Sequence, residues 1–148
     1  MDLCARSIFV PWLLLLLMVQ LLLFCSGAIT PKIHVGITQK IHVTIQNYLE
    51  GHQDLTIHCK SKNDDLGAKL VKYMDTYEFN FSLKLFGGTL FFCSFQWPGV
   101  CHRVDIYDQD RDQGNCKQCI YKIHENGPFR YAPNNNTYIR FPWKPDGC

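Results

Sequence analysis

The stretch that decides the fold is "YEFNFSLKL", Tyr77 to Leu85. Tyr77, Phe79, Phe81, Leu83 and Leu85 recur at every second position, with Glu78, Asn80, Ser82 and Lys84 between them. Successive side chains of a strand point to opposite faces, so this period of two, not 3.6, reads as a strand with one face in a core and one in water. Asn80 then points at solvent. The same alternation returns in Ile41, Val43 and Ile45 against His42, Thr44 and Gln46, and in Leu55, Ile57 and Cys59 against Thr56, His58 and Lys60. After Gly87-Gly88, "TLFFCSFQW" carries Phe91, Cys93, Phe95 and Trp97 in one phase and Leu90 and Phe92 in the other. That pattern predicts a central strand covered on both faces, ended by Pro98-Gly99. Val104 and Ile106 mark a further strand, Cys119, Tyr121 and Ile123 another, and "TYIRF" a last one after the Asn126-Gly127-Pro128 turn. Residues 68–74 are expected to form one helical turn at most. The expectation is an all-β, antiparallel β-sandwich of about eight strands.

At the N-terminus, residues 8–24 are almost purely apolar and are followed by Ser26, Gly27 and Ala28. This reads as a secretory signal peptide over residues 1–27, cleaved after Gly27, with Pro11, Gln20 and the small-residue tail arguing against an uncleaved anchor. One domain over residues 28–148 would remain. The net charge of +2 comes from scattered basic residues, which gives no footprint for nucleic acid and no basic amphipathic face for inserting into a membrane. Of eight cysteines, Cys4 and Cys25 leave with the leader. Cys59, Cys93, Cys101, Cys116, Cys119 and Cys148 stay, an even set that in a small exported chain implies disulfides. Cys59, Cys93 and Cys119 fall on apolar strand phases, where bridges would staple the sandwich. Two sequons, at Asn80 and Asn135, agree with the secretory route.

"HCKSKNDDLG", His58 to Gly67, looks at first like a metal or catalytic cluster. Strand phase separates it, with Cys59 turned inward, His58 and Lys60 turned outward, and a turn from Asn63 to Gly67. "CKQC", Cys116 to Cys119, has redox or zinc spacing but precedes an alternating strand rather than opening a helix, and no second Cys-x-x-Cys pair completes a zinc site. "DQDRDQG", Asp108 to Gly114, imitates the start of a calcium loop, yet its glycine is one place late and Cys119 stands where a bidentate glutamate is needed. For catalysis, His42, His58 and His124 sit on polar phases of different strands, and no nucleophile elbow or His-Glu-x-x-His motif is present. No catalytic residue, metal site or cofactor is expected.

Taken together, "VTIQNYL", "LTIHCKSKNDDLG", "TLFFCSFQW", "VDIYDQDRD", "CKQCIYKIHENGP" and "TYIRFPW" resemble, in order and spacing, the plant self-incompatibility protein family, the S-protein homologues. The resemblance runs from about Ile41 to Trp143. It implies a small secreted β-sandwich with intramolecular disulfides and no known catalytic activity. Its best-understood members are pistil proteins recognised by a pollen surface receptor, where self recognition leads to calcium influx and pollen arrest. Cys59, Cys93, Cys116 and Cys119 match the family pattern. Cys101 and Cys148 fall outside it and are expected to pair with each other, tying the tail to the loop after Pro98-Gly99.

The resulting expectation is a secreted, glycosylated signalling ligand that binds a cell-surface receptor through loops held by a stapled core. The candidate loops are residues 62–72, 96–102 and 108–115, with Asp64, Asp65, Asp108, Asp110, Arg111 and Asp112 as the charged groups a partner would read. The alternatives are a secreted hydrolase or nuclease using surface histidines, and a defence protein binding microbial surfaces or glycans.

Overall fold

The computed structural model describes residues 14–17, a helical segment, and residues 39–148. The expected leader cleavage after Gly27, and the rest of the leader, lie outside the described residues. Within residues 39–148, nine strands form two sheets. The strands are β1 (Lys40–Asn47), β2 (Leu55–Lys60), β3 (Asp65–Val71), β4 (Thr76–Ser82), β5 (Leu90–Trp97), β6 (Val100–Asp108), β7 (Gln118–His124), β8 (Gly127–Ala132) and β9 (Thr137–Arg140), and a short helix, α1 (Gln109–Asp112), joins β6 to β7. One sheet has the order β4-β1-β7-β8-β9 and the other β3-β2-β5-β6.

The all-β reading holds, with one correction: β1 and β7 run parallel, while the other pairings are antiparallel. Parallel neighbours need a long crossover, and here five strands and α1 lie between them in the chain.

The alternating residues do what their period requires. Ile41, Val43, Ile45, Leu55, Ile57, Phe91, Phe95, Tyr121 and Ile123 are buried in one apolar cluster contributed by both sheets. A fully buried aliphatic or aromatic side chain contributes on the order of 1.5–3 kcal/mol, so this cluster is the main attraction between the sheets. Aromatic contacts cross it, with Phe81 of β4 4.5 Å from Phe91 of β5 and 5.0 Å from Tyr107 of β6, centroid to centroid. Because β4 is an edge strand, its Tyr77, Phe79 and Phe81 are only half-buried. The strand ends at Ser82, so Leu83 is buried but Leu85 is 70% exposed, against the expected phase.

Three further expectations are corrected. Residues 68–71 belong to the edge strand β3, not to a helical turn. Its register slips between His58 and Lys60, and Gly67, at φ 70°, takes the left-handed conformation that such a bulge needs. β5 is central but covered on one face only, since Leu90 is 44% exposed. The bridges also do not span the two sheets. Cys59 and Cys93 are register partners on neighbouring strands of one sheet, Cys116 pairs with Cys119 at the entry to β7, and Cys101 pairs with Cys148.

The tail after β9 is tied along β6 by more than that last bridge. The Lys144 amide donates to the Arg103 carbonyl (2.8 Å), Arg103 Nε donates to the Gly147 carbonyl (2.6 Å), and Trp143 stacks on His102 with ring centroids 4.9 Å apart.

Gly127 opens β8 at φ 135°, where a Cβ would stand 2.5 Å from the Phe141 carbonyl oxygen. Gly127→Ala is therefore expected to destabilise the protein by about 1–3 kcal/mol, through backbone strain plus the clash. A urea midpoint equal to that of the unaltered protein would contradict this.

Candidate functional site

The groups nominated from the sequence are separated by the fold, and two of the three loops come together. β5 and β6 form a hairpin whose register sets Leu90 opposite Asp108 at one end and Trp97 opposite Val100 at the other. The turn after β2 and the β6–α1 junction lie at the first end. The tight turn within residues 96–102 lies at the second.

At the first end, Asp64, Asp108 and Asp110 share a groove of about 590 Å³ with Lys62, Lys84 and Phe86. Its lining also includes Phe81 and Phe91, so the groove reaches the aromatic edge of the core. A third loop, between β4 and β5, supplies the remaining wall, and sequence reading passed over it. Gly87 (φ 83°) and Gly88 (φ 68°) allow the chain to turn there, which leaves Phe86 90% exposed at the tip. The available signal was a Leu-Phe pair directly before two glycines, where a turn ought to be polar.

Local hydrogen bonds hold these walls in place. The Lys84 amide donates to Thr89 Oγ1 (3.1 Å), the Gln109 amide donates to the Thr89 carbonyl (2.9 Å), and Gln109 Nε2 donates to the Lys84 carbonyl (3.2 Å). Asp108 caps α1 by accepting from the Asp110 amide at 3.0 Å. In the turn after β2, Ser61 Oγ accepts from the Asn63 and Asp64 amides and donates to Asp64 Oδ2 at 2.8 Å. Among the described residues, Lys62, Lys84 and Asp110 make no ion pair. The groove thus offers apolar rings rimmed by charges of both signs without internal partners.

The other nominated charges are placed elsewhere. Asp65 is solvent-exposed but engaged, with Oδ1 2.5 Å from His58 Nε2 and Oδ2 2.9 Å from Lys60 Nζ. The bond to His58, then the Gly67 amide and Lys60, hold its carboxyl well below the usual carboxylate range. Asp112 turns inward, which corrects its reading as a partner contact, while Arg111 reaches over it and stays partly exposed. Asp112 is fully buried and bonded to Arg111 and Arg130.

The three strand histidines do not converge. His58 lies in one sheet; His42 and His124 lie in the other, on neighbouring strands but out of register, with His42 opposite Gln118. His124 Nδ1 is 2.7 Å from Glu50 Oε1, as His58 is held by Asp65. Among the described residues, no group of three or more His, Cys, Asp and Glu side chains is arranged to hold a metal ion. Nor is any helix there long and apolar enough to cross a membrane. Asn80, on β4, and Asn135, in the turn before β9, are both exposed.

Comparison with known proteins places this geometry in context. Residues 42–143 match the sequence profile of the family described as "Plant self-incompatibility protein S1". S-protein homolog 5 of Arabidopsis thaliana is 47% identical over 102 residues, covering 69% of this chain and 77% of that relative. S-protein homolog 2 of the same plant is 40% identical over 112 residues, covering 72% and 70%. A solved structure described as a self-incompatibility protein homologue, from a family of small, highly stable, secreted plant proteins, superposes with a TM-score of 0.55 at 18% identity. That match covers 72% of this chain and 96% of the other, and it supports the fold.

Proposed function

The chain belongs to the plant self-incompatibility protein S1 family, and from that premise we propose that it is a secreted extracellular ligand that docks a cell-surface receptor through the groove at the Phe86 end. Residues 1–27 serve as the leader, and Asn80 and Asn135 are the glycan acceptors on exposed positions. The observation that carries the reading is Phe86. A ring 90% exposed on a glycine turn, beside Lys62, Lys84 and Asp110, has no role in the core. With exposed Leu85 beside it and Phe81 and Phe91 in the same groove, it forms an apolar patch rimmed by polar groups, and aromatic anchors of that kind are where interface energy concentrates. The family's pollen–pistil recognition is one process such a ligand serves, and developmental signalling is another.

Labelled mature protein is expected to bind cells of the responding tissue saturably, with competition by unlabelled protein. Phe86→Ser should weaken that binding by about tenfold or more, corresponding to about 1.4 kcal/mol or above. The substitution removes no buried contact, so the unfolding curve should not move. Undiminished binding by this variant would remove the groove from the reading.

A further inference from the structure

The outer face of the five-stranded sheet carries a second surface that neither the core nor the groove uses. Cross-strand partners share a face, and the registers align Lys122 of β7, Phe129 of β8 and Arg140 of β9 in one row. Just past the end of β1, Tyr48 lies beside His124, with ring centroids 5.3 Å apart. Lys122 Nζ stands 4.5 Å from the centre of the Tyr48 ring and 5.4 Å from that of Tyr138. Tyr48, Lys122, His124, Asn126, Phe129 and Tyr138 line a shallow cavity of about 330 Å³.

Among the described residues, neither Lys122 nor Arg140 forms an ion pair, although Glu50, Glu78 and Glu125 carry the opposite charge on or near the same face. The nearby carboxylates are already engaged. Glu50 accepts from His124 and from the Glu125 amide (3.0 Å), and Glu125 Oε1 accepts from the Gly51 amide (3.1 Å). A solvated sheet face would ordinarily carry small polar and mixed charged residues rather than three rings around an unpaired ammonium.

We infer that this face binds an acidic oligosaccharide, a chain of uronic acid units. The flat C–H face of a pyranose packs on half-buried Tyr48 and exposed Tyr138 as other apolar groups pack on aromatic rings. Lys122 meets the sugar carboxylate, and Asn126 supplies a side-chain amide for its hydroxyls. The cavity is shallow and open, which suits a thin, extended ligand. A neutral sugar leaves Lys122 without a countercharge, and a nucleic acid needs a longer track of cations than one row supplies.

Isothermal titration of the mature protein with oligogalacturonate of defined length tests this directly. Saturable binding is expected, weakened by added salt because a charge pair contributes. Lys122→Gln and Tyr138→Ala should each raise the dissociation constant by about tenfold, whereas Lys69→Gln, on the other sheet, should leave it unchanged. Both binding-face variants alter side chains that are not fully buried, and unchanged urea midpoints would show that they are folded. Any of three results would overturn the proposal: no saturable binding, equal affinity for a neutral cello-oligosaccharide, or equal competition by polyglutamate, which carries the charge without the sugar ring.

Discussion

Replacing Cys59 and Cys93 together by alanine is expected to lower the free energy of unfolding by about 2–5 kcal/mol. Domains of this kind have only about 5–15 kcal/mol in total, so the variant should unfold at a much lower urea concentration, read by fluorescence under non-oxidising conditions. Both sulfurs are fully buried and bridge neighbouring strands β2 and β5 at the centre of their sheet, across 34 residues of chain. The bond acts first on the unfolded chain, by closing that loop. Its loss also leaves space between Phe95, Ile57 and their neighbours that the core does not fill without moving. The Cys101–Cys148 bridge separates these contributions. It closes a longer span, 47 residues, but the loop term grows only as the logarithm of length, so the entropic difference between the two is a few tenths of a kcal/mol. Cys148 is exposed and the tail has other ties to β6, so Cys101→Ala/Cys148→Ala should cost less. An unchanged midpoint for the Cys59/Cys93 pair, or a larger loss for the tail pair, would refute this account.

The strands legible in the sequence were those with one face in the core. Ile41, Val43 and Ile45 reveal β1 because burial imposes its period on residue type, and the same holds for Leu55, Ile57 and Cys59. β3 lacked that signal. It is an edge strand in which Ala68, Lys69 and Leu70 are all exposed, so neither phase is selected for apolar character, and its identity comes from pairing with β2. The parallel pairing of β1 with β7 was equally out of reach, since which strand lies beside which depends on the whole crossover. At the candidate groove, two of three loops were legible as charged, turn-forming segments, but their meeting with Phe86 is a property of the fold. The outer aromatic face was hidden for a different reason. Lys122, Phe129 and Tyr138 come from three strands, and each alone is an ordinary outward residue.

Within the acidic segment "DQDRDQG", Asp112 was the clearest misreading, and the second large effect follows from it. Asp112→Ala is expected to destabilise the protein by about 3–5 kcal/mol, the cost of leaving a buried charge without its partner. Asp112 is fully buried, and its carboxylate accepts from Arg130 Nη1 (2.5 Å), Arg111 Nη2 (2.7 Å) and Nε (2.9 Å), and the Asp108 amide (2.9 Å). Arg130 is itself 6% exposed, packed over Phe141 and near Tyr121, whose hydroxyl donates to the Ile106 carbonyl. Burial alone would push the Asp112 pKa up, but the hydrogen bonds from Arg111, Arg130 and the Asp108 amide outweigh it and leave the carboxyl below its ordinary value. A carboxyl depressed in the folded state contributes its full stabilisation above the unfolded pKa, about 3.9. It loses that stabilisation as pH falls through the folded value. The gap in stability between the unaltered protein and Asp112→Ala should therefore be constant from neutral pH to about pH 5 and narrow below about pH 4. Asp112→Leu combined with Arg130→Met should recover much of the loss, because apolar replacements avoid the desolvation that the ion pair has to overcome. Urea titrations of the three proteins across that pH range decide the matter. If the gap stays constant into strong acid, or if the double variant is as unstable as Asp112→Ala, the buried charges are not the source of the stabilisation.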